Sequence, residues 1–112
     1  MQLLLVTFDL TKTIPGDPRY AQADATLNFS GTLFKPLKQN RFLLTSREPQ
    51  QIMAAIEQRI GRQSGILIMP VTNVSAWRIH ELHNRQEWDR LIVAIRKSGI
   101  KIEGITQDYV SS

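Results

Sequence analysis

Asp9 is the residue with the sharpest chemical potential in this chain. It closes the apolar run Leu3, Leu4, Leu5, Val6 and Phe8. A carboxylate ending a buried strand is costly unless it caps a turn, pairs with a cation or binds a metal. In one reading Asp9 caps the turn over Thr11–Thr13, a habit of aspartate at strand ends. In the other it is a catalytic ligand for Mg²⁺ or Mn²⁺, because Mg²⁺ takes one or two carboxylates and completes its shell with waters and phosphate oxygens. One carboxylate is a poor cage, but a two-fold homodimer repeats every residue across its axis and would supply the second.

A locally basic stretch is the next feature. No acidic residue lies between Asp24 and Glu48, whereas Lys35, Lys38, Arg41 and Arg47 all do. Such a stretch is either a solvated face or a set of phosphate contacts whose strength falls with salt. A later cluster, Arg85, Arg90, Arg96, Lys97 and Lys101, is diluted by Glu87, Asp89 and Glu103. His80, Glu81 and His83 have ligand-type side chains. On a strand the two histidines would face opposite ways and on a helix they would be neighbours; a surface or interface role is favoured over a metal site.

The elements that must carry these residues follow from periodicity and breakers. The run from Leu3 suits a strand covered on both faces or central in its sheet. Pro15, Gly16 and Pro18 make a loop, and a helix follows from about Pro18 to Ser30 with Tyr20, Ala23 and Leu27 on one face and Gly31 as its stop. Thr32 to Leu37 and Arg41 to Thr45 read as two strands joined by Lys38-Gln39-Asn40, with Pro36 marking an edge or a bulge. Pro49 opens a helix through Ile52, Ala55, Ile56 and Ile60. Ile66 to Met69 gives another strand, ended by Pro70. This order, β-α-β-β-α-β, is the ferredoxin-like pattern. Beyond it, Ser75 to Leu82 reads as a fifth strand. Asn84 with Glu87 reads as the cap of a third helix bearing Trp88, Leu91, Ile92 and Ile95, and Ile100 to Ile105 as a last strand. Trp77, Trp88 and Tyr109 could stack on bases, although such aromatics more often anchor cores or subunit contacts. The expectation is one α+β domain over 1–112, with a sandwich core over 1–72 and a strand-helix-strand extension over 73–112.

Composition bounds the rest. The chain has 112 residues, 42% of them hydrophobic and 21% charged, with a formal charge of +4. That permits a nucleic-acid partner without demanding one. There is no cysteine, which removes disulfides and thiolate metal sites. The apolar run at Leu3–Leu10 is too short for a membrane span and lacks the flanks of a signal peptide, so no membrane role and a cytoplasmic setting are expected. No Gly-rich phosphate loop and no GxSxG elbow occur.

Phe8-Asp9-Leu10 at the end of the opening strand resembles the start of the small CRISPR-associated adaptation protein and its VapD-type relatives. The later order is similar too: Tyr20 to Leu27, Gly31, Arg41-Phe42-Leu43-Leu44-Thr45-Ser46, Gln51 to Ile60, Gly65-Ile66-Leu67-Ile68-Met69 and Trp77. The resemblance spans about residues 2 to 80. It implies a ferredoxin-like homodimer in which Asp9, by position, binds the divalent metal of a phosphodiesterase while Lys38 and Arg41 hold backbone phosphates. The leading expectation is therefore a dimeric nucleic-acid-associated protein acting as a Mg²⁺- or Mn²⁺-dependent endonuclease on RNA or DNA. Asp9 would be its metal ligand, and Lys35, Lys38, Arg41 and Arg47 its phosphate contacts. The alternative is a non-catalytic interaction module, antitoxin-like or an assembly subunit, with another protein as partner.

Overall fold

The computed structural model describes residues 1–10, 13–37 and 39–106. Its elements run β1 (Gln2–Asp9), α1 (Pro18–Ser30), β2 (Thr32–Phe34), β3 (Arg41–Thr45), α2 (Pro49–Ile60), β4 (Gly65–Pro70) and α3 (Leu82–Ser98). The strands form one antiparallel sheet in the order β2-β3-β1-β4. The protein is thus α+β, and β1 is central as its apolar run requires.

Local chemistry sets the boundaries. Asp17 caps α1, its Oδ1 accepting from the Arg19 N–H at 3.0 Å, and Pro18 takes the first helical position, where no N–H is needed. Glu48 precedes α2, and its backbone N–H donates to Gln51 Oε1 at 3.2 Å. Gly31 carries the chain from α1 straight into β2. A Cβ there would collide with the Leu44 carbonyl of β3, so the tight passage depends on glycine.

Residues alternate between the two faces of β1: Leu4, Val6 and Phe8 are buried on one face, while on the other Leu3 is buried and Leu5 and Thr7 are half-buried. Leu4, Val6 and Phe8, with Leu33 and Leu43, pack against Ala23 and Leu27 of α1 and Ile52, Ile56 and Ile60 of α2. Leu3, Phe34, Phe42 and Leu44 pack the other way, against Trp88, Leu91 and Ile95 of α3 together with Ile102 and Ile105. The sheet is a middle layer between two helical layers.

The chain after β4 corrects the sequence reading. Among the described residues, neither Ser75–Leu82 nor Ile100–Ile105 forms a strand. Their one ladder contact nearby is an isolated parallel bridge between Asn73 and Glu103. The apolar residues at 77 and 79 turn to α3 instead of a strand partner: the Trp77 ring lies 5.5 Å from that of Trp88, and Ile79 joins the same core. α3 begins at Leu82 with Glu81 as its cap residue, ahead of the Asn84 start. Glu87 is drawn away to accept from the Lys35 N–H at 3.1 Å. β2 stops at Phe34, before Pro36, whose ring nitrogen has no hydrogen to donate.

Because α3 completes the second core, replacing Ile95, which is fully buried, by alanine should cost about 3 kcal/mol in urea unfolding. A detachable tail would show no loss, and the full transition would be unchanged.

Candidate functional site

Asp9 closes β1 opposite Gly65 of β4. Its side chain is exposed and forms no hydrogen bond or ion pair with a described residue. It borders a hollow of 290 Å³ shared with Thr7, Phe8, Gly65, Ile66 and Leu67. The turn it was expected to cap includes Thr11 and Lys12, which lie outside the described residues. Among the described residues, no group of three His, Cys, Asp or Glu side chains could hold a metal. The described residues thus bring no such cluster to Asp9, and a two-fold dimer would add a second carboxylate beside it.

The basic residues do not converge on this carboxylate. Arg41 sits opposite Val6, so its side chain leaves the sheet on the α1/α2 face, whereas Asp9, three residues beyond Val6, points to the other face. Arg41 is 6% exposed. Its Nε donates to Asp24 Oδ1 of α1 at 2.8 Å, and its guanidinium lies 4.6 Å from the centroid of the Phe8 ring. Lys35 Nζ reaches Asp24 Oδ2 at 2.8 Å. Arg47 lies at the far end of the sheet, where its carbonyl accepts from the Gln2 side chain. Seven strand residues separate Gln2 from Asp9, about 23 Å at the usual rise. Lys38 is outside the described residues.

Asp24 is the functional side chain that the sequence reading passed over. Half-burial alone would push its carboxyl up, but the bonds from Arg41 and Lys35 together outweigh that and hold it below the ordinary carboxylate value. The signal was present. Asp24 follows Ala23 on α1 and so flanks the stripe that packs on the sheet, facing the end where two cations leave β2 and β3. The acid-free stretch thus has its counter-ion just outside it in sequence and inside it in space.

A second polar hollow, of 420 Å³, lies beside this triad, where Lys35 and Arg41 meet His83, Asn84 and Glu87 of α3. His80 is exposed and does not line it. His80 precedes α3 and His83 lies in its first turn, so the two share neither a strand nor a helix, and His83 enters the cleft.

Arg41→Met should lower stability by about 2 kcal/mol at neutral pH, less than for a fully buried pair because Asp24 keeps some solvent contact. Asp24 has a depressed folded value, so its contribution is complete above the unfolded carboxylate range near 4 and is lost as pH falls below it. Urea unfolding at about pH 7 and about pH 3 should show the wild-type advantage over Arg41→Met shrinking in acid; a constant gap would mean the arginine acts by packing on Phe8 alone. No family model, curated protein or solved structure matches the chain.

Proposed function

We propose that this protein is a homodimeric, non-catalytic interaction module on a ferredoxin-like layer, joined through the half of the sheet that α3 leaves open. The β-α-β-β-α-β order, with β1 and β3 central and β2 and β4 at the edges, supports the ferredoxin-like reading. The observation that carries the interaction reading is the apolar strip on the α3-side face of β1 and β4. Leu67 and Met69 there are 52% and 43% exposed, and they lie beside Thr7 and Leu5 in register. Exposed contiguous apolar surface on a sheet marks a contact face. A 580 Å³ groove continues the strip from Leu5 and Met69 along Val71 to Ala76. Lys35 and Arg41 of the basic stretch are paired with Asp24, which weakens a phosphate-binding role for those two.

A second reading rests on Asp9. It occupies the same face as Leu67, so a two-fold axis through the strip would bring two Asp9 carboxylates toward each other. Such a pair could hold Mg²⁺ or Mn²⁺ and activate water against a phosphodiester of RNA or DNA. This endonuclease reading, and with it the likeness to small CRISPR-associated and VapD-type proteins, requires the dimer. The module reading does not require the metal. No described helix is long and apolar enough to cross a membrane, and a cytoplasmic setting is part of the proposal.

Sedimentation equilibrium should find a dimer in the wild type and a monomer in Leu67→Lys, with unchanged circular dichroism. A wild type that stays monomeric at high concentration removes both readings. Incubation with labelled RNA and duplex DNA plus Mg²⁺ or Mn²⁺ separates them. Cleavage lost in Asp9→Ala selects the nuclease; no cleavage, or equal cleavage by both preparations, leaves the module.

A further inference from the structure

The opposite edge of the sheet, at β2, carries a site of a different kind. It extends the interaction-module reading to a separate surface. Hydrogen-bond parity through the sheet decides which backbone groups face outward there. The Val71 N–H donates to the Leu3 carbonyl at 2.8 Å, so the peptide groups of Leu3 point toward β4. Leu44, opposite Leu3, then points away from β1, toward β2. Thr32 and Phe34, opposite Leu44 and Phe42, bond to β3, and the N–H and C=O of Leu33 between them face the open edge. Lys35 has the same outward parity, and its N–H is the one that Glu87 Oε1 reaches from α3 at 3.1 Å. Paired outward donors and acceptors on an edge are a template for an added strand.

α3 lies alongside this edge. Glu87 meets Lys35, and the Arg90 guanidinium lies 5.1 Å from the centroid of the Phe34 ring. The helix therefore runs antiparallel to β2, and Lys97 lies beyond Thr32. Between strand and helix is a groove of 510 Å³ lined by Val93, Asp89, Arg90 and Lys97, with the buried Phe34 at its base. Val93 is 47% exposed. Neither Asp89 nor Lys97 forms an ion pair with a described residue, whereas Arg90 is taken by Glu87 at 2.6 Å. Eight helical residues separate Asp89 from Lys97, about 12 Å along the axis. Four strand residues span about 13 Å, and every second side chain of a strand shares a face.

We propose that this groove binds an extended peptide segment as an added strand antiparallel to β2, with a core that reads base–x–apolar–x–acid from N to C terminus. Leu33 supplies two main-chain hydrogen bonds. The central apolar side chain of the peptide packs on the exposed Val93, beside Arg90, which lies over the buried Phe34 ring. An antiparallel strand runs from the Lys35 end to the Thr32 end, so its leading base faces Asp89 and its trailing acid faces Lys97. Main-chain pairing supplies affinity and the alternate side chains supply selectivity, as in other strand-addition sites. Glu87 already satisfies the Lys35 N–H, which limits the pairing to the centre of the edge.

The test uses the full chain and two acetylated, amidated synthetic peptides. One is centred on lysine-threonine-leucine-threonine-glutamate and the other on the same residues in reverse order. In ¹⁵N–¹H spectra the first should shift the Leu33 and Val93 amides saturably and slow exchange of the Leu33 amide. It should bind roughly fivefold more tightly than the second, the combined effect of two exposed charge pairs. The double variant Asp89→Lys/Lys97→Glu should invert that preference while keeping the Leu33 shift. Absence of a Leu33 shift at about millimolar peptide overturns the site, and equal binding of both peptides by the wild type overturns the charge order. Leu67→Lys, which alters the other edge, should bind as the wild type does. Loss of dimerisation and loss of peptide binding are thus read separately.

Discussion

The central place of β1, apolar on both faces along Leu3–Val6, is the constraint from which the rest of the molecule follows. A strand with alternating Leu3, Leu4, Leu5 and Val6 has no polar face to give to water, so it must lie inside its sheet and the sheet must be covered twice. α1 and α2 cover one face, and they arise from the two connections that a β-α-β-β-α-β chain provides. The second cover has to come from elsewhere, and α3 provides it by packing Trp88, Leu91 and Ile95 onto Leu3, Phe34, Phe42 and Leu44. One helix cannot span four strands. It sits toward β2 and β3, and the β1/β4 side keeps Leu67 and Met69 in contact with solvent.

That asymmetry organises the surfaces with functional potential. The open half of the sheet holds the apolar strip and Asp9. The covered half holds, at its rim, the groove between β2 and α3. The charges of Lys35 and Arg41 belong to neither, because Asp24 gathers them on the α1/α2 side. Arg41 stacks on Phe8 as well, so its guanidinium is part of the first core's lid. A charge that is satisfied within the fold gives up its solvation to a partner inside the molecule, and engaging an external phosphate would require leaving that partner uncompensated.

The helices were the most legible part of the fold. The stripe of Ile52, Ile56 and Ile60 and the stop at Gly31 mark their elements because helical spacing and glycine are local signals. Trp88, Leu91 and Ile95 likewise announced a buried face. The segments flanking α3 were misread as strands because alternation at Trp77 and Ile79 looks the same whether the partner is a neighbouring strand or the side of a helix. Glu87 was misread as a capping residue for a similar reason. Its spacing from Asn84 is right for a cap, but the bare N–H of Lys35, distant in sequence, is the stronger claim on the carboxylate. At the candidate site, the exposure of Asp9 was not readable from its strand-terminal position, and neither was the pairing of Arg41 with a helix seventeen residues earlier.

The sequence by itself determined the α+β class, the central place of the first strand, the two buried helical stripes of α2 and α3 and the absence of any thiol chemistry. Each depends on residue type and short-range spacing alone. Tertiary structure decided which face each charge occupies, which carboxylate pairs with Lys35 and Arg41, and how far α3 reaches across the sheet. These depend on strand register and on which long-range partner is nearest. A shift of one residue in a strand reverses every side chain, and two residues far apart in the chain acquire a common environment only when the sheet has assembled.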